Sequence, residues 1–277
     1  MTSTTTAAPR GRKLPVQAGV LILILVALAW HARPDGRLHV TFLESKGDAI
    51  LIQSPAGGFV LIDGGADPAA LTASLGRRMP FWRRRLDAVV LTSADGAHLP
   101  GQVAALARYH AAVALVPPSL QRGATLDEWR RLLAEGQTRV RAARVGDRLN
   151  IGGATLRVLA VGDGDQAGLM LRLDYGATSV VLDHMGGEAD EEALLAGAPP
   201  RATLLAFPWQ RDPRTALVQA LQPRALVFTD GQTADKPAEL TFVDRAVGGA
   251  ALYHERLHGA IEWVSDGRRS WIAAERQ

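Results

Sequence analysis

Asp95 and His98 stand three residues apart in the polar stretch Ser93 to His98, with the side chains a metal ion needs. A carboxylate and an imidazole could share one ion, but hydrolytic zinc takes about three protein ligands plus an open position for water. Both residues also have plainer roles: Asp95 as an Asx turn or helix N-cap ahead of Pro100, His98 as a hydrogen-bonded loop histidine. His254 and His258, with Arg256 between them, are expected on one face of a strand, as a solvated hairpin rather than a ligand pair. Asp63, in Asp63-Gly64-Gly65, reads as a carboxylate capping backbone N–H groups in a turn. Gly162-Asp163-Gly164-Asp165 lacks the glutamate that completes a calcium loop, and Ser93 and Ser179 lack the Gly-x-Ser-x-Gly setting of a serine nucleophile.

A basic cluster supplies a different chemistry. Arg77, Arg78, Arg83, Arg84 and Arg85 surround Phe81-Trp82. Guanidinium groups pair bidentately with phosphate, and aromatic rings stack on single-stranded bases. Arg77, Arg78, Trp82, Arg83, Arg84 and Arg85 are therefore candidate binding residues for DNA or for anionic lipid headgroups. The alternative is a solvated helix end with Phe81 and Trp82 tucked into the core.

The 277 residues carry 31 basic and 28 acidic side chains, a formal net charge of +3, and are 47% hydrophobic, which excludes a disordered chain. Only Lys13, Lys46 and Lys236 are lysines, so arginine carries nearly all the positive charge and lifts the pI to about 9.7. Net charge alone predicts no nucleic-acid partner. The chain has no cysteine, which excludes disulfides, thiolate metal sites and a cysteine nucleophile.

Residues 1–33 form a separate segment: a polar basic tail, then an uncharged run from Ala18 to Trp30 that extends back to Leu14 past Pro15 and Gln17. It reads as one N-terminal hydrophobic helix, either a membrane anchor or a cleaved signal segment. The body, residues 34–277, is expected outside the cytoplasm: membrane-anchored, or secreted or periplasmic if the segment is cleaved.

The body alternates strands and helices. Leu38–Leu43, Ala49–Gln53 and Phe59–Ile62 read as an antiparallel meander, with Ser54 to Gly58 as a hairpin loop. A helix over Pro68–Met79, a strand over Leu86–Thr92, a helix over Val103–His110, a strand at Val113–Val116 and a helix over Leu126–Ala134 follow. The second half repeats the order, with strands at Thr155–Val161, Leu169–Asp174 and Ser179–Leu182, then a helix near Glu188–Leu195. Strand Ala202–Phe207, helix Arg214–Leu221, strand Ala225–Thr229 and helix Ala238–Arg245 precede closing strands around Ala251–Tyr253, Gly259–Val264 and Ser270–Ala273. This order predicts an α/β (α+β) sandwich of two mixed sheets with outer helices.

Four segments carry a resemblance to a known family. Phe42 to Ile52, Leu61-Ile62-Asp63-Gly64-Gly65, Leu86 to His98 and Tyr253 to Ile261 resemble, in order, motifs of the metallo-β-lactamase-like domain that ends the competence protein ComEC. The similarity spans about residues 37 to 275 and implies an αββα sandwich with a metal site where loops meet at the sheet edges. That family's Thr-His-Pro-Asp-x-Asp-His loop corresponds to Thr92-Ser93-Ala94-Asp95-Gly96-Ala97-His98. Asp95 and His98 are kept, while Ser93 and Ala97 replace ligands. The later ligand segments fall near Asp183-His184, Pro208-Trp209-Gln210 and Asp235-Lys236-Pro237, where Lys236 would repel a dication.

Asp95, His98, Asp183 and His184 are the metal-ligand candidates this implies. Two reliable ligands do not hold zinc tightly, so the resemblance points to a catalytically degenerate, membrane-tethered domain without a cofactor. Its partners would be the membrane, and DNA or a competence or envelope protein, with no nucleotide cofactor. The alternative is an active metal-dependent hydrolase or nuclease that uses zinc or manganese on a rewired ligand set. Transport by this chain alone is excluded, because the multi-helix channel is missing.

Overall fold

The computed structural model describes residues 18–20, 33–162, 168–184, 191, 194–195, 201–229 and 242–276. Of the N-terminal hydrophobic segment, only the helical residues 18–20 fall within these. Among the described residues, no helix is long and apolar enough to cross a membrane. Asp35–Gln277 forms one compact unit.

Its strands are β1 (Leu38–Phe42), β2 (Ala49–Gln53), β3 (Phe59–Asp63), β4 (Arg85–Val90), β5 (His110–Val116), β6 (Arg139–Ala142), β7 (Arg148–Ile151) and β8 (Ala154–Val161). They continue with β9 (Leu169–Tyr175), β10 (Thr178–Asp183), β11 (Leu204–Pro208), β12 (Ala225–Thr229), β13 (Ala251–His254), β14 (Ile261–Ser265) and β15 (Ser270–Ala274). The helices are α1 (Pro68–Arg78), α2 (Leu99–Leu106), α3 (Ala124–Glu135), α4 (Ala216–Leu221) and the single turn α5 (Glu255–His258).

The strands form two mixed sheets, ordered β15-β14-β1-β2-β3-β4-β5-β6 and β13-β12-β11-β10-β9-β8-β7. In the first sheet, β3 to β6 run parallel and the rest of the ladder is antiparallel. In the second, β10 to β13 run parallel and β7 to β10 antiparallel. The predicted αββα sandwich of two mixed sheets is what forms.

Central strands are apolar on both faces because each sheet is covered on both sides. Val40, Ile50, Ile52, Val60, Ile62 and Val90 of the first sheet meet Leu171, Leu173, Val180, Leu182, Leu204 and Val227 of the second. The alternate residues Leu51, Leu61 and Val89 pack under Leu71, Leu75, Trp129 and Leu133 of α1 and α3. On the far side, Val181, Leu205, Phe207 and Leu226 meet Leu217, Val218 and Leu221 of α4.

α1 starts at Pro68 as expected, where Asp67 caps it, its carboxylate accepting from the N–H groups of Ala69 and Ala70 at 3.1 and 3.0 Å. Other expected elements shift. α2 begins at Leu99 rather than Val103, with Pro100 in its first turn, and His110 opens β5 instead of closing a helix. β6 and β7 were not foreseen: they are four-residue strands, and β6 is exposed throughout. His254 and His258 do not share a strand face: β13 ends at His254, and His258 closes α5, its ring Nδ1 3.1 Å from the His254 backbone O and N. Asp163 to Asp165, most of Glu188–Leu195, the first half of Ala238–Arg245, and Asp235-Lys236-Pro237 lie outside the described residues.

Candidate metal centre

Period-two alternation along β10 aims its C-terminal residues. Val180 and Leu182 face the space between the sheets, so His184 continues on that side, whereas Asp183 and Val181 face outward. Asp183 is fully buried there and accepts from Arg211 Nη1 at 3.0 Å, and Arg211 also pairs with Glu191. The two neighbours proposed as metal ligands therefore part company, and Asp183 belongs to a structural ion pair on the outer face.

His98 is the N-cap residue of α2, and three contacts hold that helix end. Gln102 donates to Val90 O at 2.9 Å and accepts from Trp129 Nε1 at 2.7 Å, tying α2 to β4 and α3 inside the core. Gly64 and Gly101 bring the β3 loop against the first turn of α2. A Cβ on Gly64 would lie 1.9 Å from Gln102 N, so no larger residue fits without moving the helix.

Asp48 is held by the turn before β2. Gly47 has φ +143° and a Cβ there would fall 2.2 Å from Ala97 O, so glycine alone permits the approach. That approach lets Asp48 N donate to Ala97 O at 3.1 Å, which places Asp48 beside His98.

The three side chains meet. Asp48 Oδ2 lies 3.2 Å from His184 Nδ1 and 3.4 Å from His98 Nε2, and one ligand atom from each residue lies within 4.8 Å of the other two. All three are buried. Asp95 stands behind them: its Oδ1 is 2.5 Å from His98 Nδ1 and accepts from Ala97 N at 2.8 Å, while its Oδ2 accepts from Ser93 Oγ at 2.8 Å. Asp95 thus forms the expected Asx-type turn and also orients the histidine. Asp63, turned into the left-handed region at φ +55°, accepts from Thr92 N and Oγ1 at 2.7 and 2.6 Å and lies 3.9 Å from His184 Nδ1.

Burial alone would push the Asp48 carboxyl up, but hydrogen bonds from His184 and His98 hold it far below the usual range. Burial opposes charge on both rings as well, yet Asp48 and Asp95 raise His98 well above its ordinary value and Asp48 raises His184. Burial pushes Asp63 up despite its hydrogen bonds. His254, close enough to feel Asp48, is pushed down to about 4 by burial and then by Arg256 and His258.

The donor set fits a divalent ion. Ligands about 2.0–2.2 Å from zinc in a tetrahedron stand roughly 3.4 Å apart, close to the Asp48–histidine spacings. His98 already has its other nitrogen on a carboxylate, the usual outer-shell partner of a metal-bound histidine. His184 turns Nδ1 toward Asp48, and its Nε2 is buried without a hydrogen-bond partner among the described residues.

Of the sequence candidates, His98 and His184 come together, Asp95 supports His98 from behind, and Asp183 faces away. Asp48 was missed. It stands two residues before Ile50 and four before Ile52, whose side chains face the other sheet, a period-two signal that could have found it.

Of the basic cluster, Arg77 donates to Ser74 Oγ, Arg78 pairs with Glu275, and Arg83 lies 3.8 Å from Asp87 and over the Phe59 ring. Arg84 lies over Tyr109, and Arg85 begins β4 exposed. Phe81 and Trp82 are 63% and 47% exposed and pack edge-to-face on each other, not into the core.

Two mixed sheets under outer helices form the metallo-β-lactamase fold, and solved structures agree. The metallo-β-lactamase-fold protein YhfI from Bacillus subtilis matches with TM-score 0.58 at 16% identity, covering 78% of this chain and 96% of that one. A diphosphatase from the PhnP family matches with TM-score 0.55 at 15% identity, covering 82% and 98%. Zn²⁺-bound PqqB from Methylobacterium extorquens matches with TM-score 0.52 at 12% identity, covering 75% and 85%. No protein-family profile and no curated protein sequence matches.

Proposed function

We propose that this domain holds one divalent transition-metal ion on Asp48, His98 and His184 and is a metal-dependent hydrolase of phosphoester substrates. The convergence of those three buried donors carries the reading. Asp95 keeps a proton on His98 Nδ1 and leaves Nε2 facing the ion. Asp63 and Thr92 lock the end of β3 to the segment that follows β4, and the Gln102–Trp129 pair holds α2, so the donors meet without rearrangement. A bound ion would polarise a phosphoryl oxygen and lower the pKa of a water. The fold's company with a diphosphatase, and the motif resemblance to the competence protein family, support a phosphoester substrate.

A second reading has one observation in its favour. Exposed Phe81 and Trp82 beside Arg83 to Arg85 suit a non-catalytic domain that binds DNA or an envelope protein and is tethered to a membrane by its N-terminal segment.

Metal content of the purified full-length chain, after dialysis against micromolar zinc or manganese, separates the two. About one ion per chain is expected, lost in Asp48→Ala and His184→Ala and kept in Asp183→Asn. Less than about a tenth of an ion per chain would sink the metal site and leave the binding reading. Hydrolysis of a bis-aryl phosphodiester that follows the ion content is the expected activity.

A further inference from the structure

A second site lies at the opposite end of β10. A cleft of about 320 Å³ is lined by Arg172, Arg201, Arg224, Arg268 and Arg269, with Asp174 as its carboxylate. It opens around Thr178 and Ser179 at the start of the strand, whereas His184 follows the strand's end. Six residues at about 3.3 Å each put the two places roughly 20 Å apart. The cleft and the metal centre therefore share no ligand.

The arginines divide into two sets. Arg172 is part of the frame: Nε donates to Asp174 at 2.7 Å, and both terminal nitrogens face Arg201 O at 3.4 and 3.3 Å. Asp174 is thereby occupied, with Arg157 also 3.8 Å away. Arg201, Arg224, Arg268 and Arg269 are exposed and form no ion pair among the described residues. Asp266 accepts from the backbone N–H groups of Arg268 and Arg269 at 2.8 and 2.7 Å and feels the Arg269 charge, but pairs directly with neither guanidinium among the described residues. Ser179 Oγ donates to Arg201 O and Thr203 Oγ1 accepts from Ser179 N, so the hydroxyls at the cleft floor sit in a fixed network.

Four like charges in one concavity repel one another, and a low-dielectric wall focuses their field into the cleft. A multiply charged anion with several acceptor oxygens relieves that repulsion, and guanidinium forks match phosphate geometry. The volume suits a small ligand. We propose that this cleft binds the phosphoryl groups of a small diphosphate-bearing molecule, independently of the metal centre.

Calorimetric titration of pyrophosphate into the full-length chain tests this, beside co-sedimentation with phosphatidylglycerol vesicles. One-to-one binding is expected, weakened about tenfold or more in Arg224→Gln/Arg268→Gln and unchanged in Arg130→Gln on α3 or in Asp48→Ala. These side chains are exposed, and circular dichroism of each variant verifies that it folds. Three results would overturn the proposal. They are no pyrophosphate binding by the parent chain, affinity that depends on Asp48 but not on the cleft arginines, and vesicle binding without affinity for pyrophosphate.

Discussion

At the residue scale, the proposed centre depends on groups that would touch an ion and on one that would only aim a ligand. Asp95 holds His98 Nδ1 while Ser93 and Ala97 hold Asp95, so the ring cannot turn. Outer-shell carboxylates of this kind are typically worth 10- to 100-fold in metal affinity. Asp95→Asn is expected to weaken zinc binding by about that factor while leaving one site per chain, read by competition with a chromophoric chelator. Unchanged affinity would mean that Asp95 only shapes the turn. Asp183, one residue from the proposed ligand His184, is expected to have no such influence because strand geometry sends it to the other face of the sheet.

At the element scale, β1 is clamped between β2 and β14, and His39 sits on that seam with Glu262 at 2.9 Å and Asp35 at 3.1 Å. The Glu262 hydrogen bond leads the causes that raise the His39 pKa, against the opposing effect of burial. A raised folded-state pKa stabilises fully below the unfolded value, about 6.5, and that stability fades as pH rises through the folded value. Glu262 is lowered, chiefly by His39, so its share is lost instead as pH falls into the carboxylate range. Both acids are 44% exposed, which limits the effect to under about 1 kcal/mol. Urea unfolding at pH 6 and pH 8.5 should show the parent chain losing stability relative to His39→Gln as pH rises. An identical pH slope in both proteins would remove His39 from the account.

At the scale of the whole molecule, the three donors come from both layers. Asp48 and His98 belong to the first sheet and its helix, His184 to the second, 136 positions from Asp48. An ion held by all three fastens the sheets together at one edge and binds only the folded chain. At about a hundredfold excess over Kd, such linkage adds about 2.7 kcal/mol, or roughly 5–10 °C in Tm for a domain of this size. Zinc is expected to raise Tm by that amount in the parent chain and not in Asp48→Ala. A rise that survives the substitution would place the ion elsewhere.

The sequence by itself determined the layers. Apolar runs such as Ala49–Gln53 and Phe59–Ile62 can be satisfied only by a strand covered on both faces, and the Ser54–Gly58 turn joins them as a hairpin. Pro68 marks the start of α1 because proline's fit to a helix's first turn is local chemistry. His98 and His184 were legible as candidates by residue type and by motif resemblance. Short edge strands such as β6 carry no such pattern, since all four of its residues are exposed and the strand is held by its backbone ladder to β5.

Tertiary structure alone decided which side chains meet. Asp48 becomes a ligand candidate because Gly47 lets its backbone reach Ala97 and because the second sheet packs His184 against it. Which of Asp183 and His184 faces inward depends on which face of β10 meets the other sheet. The cleft arginines, spread from position 172 to 269, converge only when four strand ends line up. Each of these is a long-range contact, made by sheets closing on a shared core rather than by any local preference of the chain.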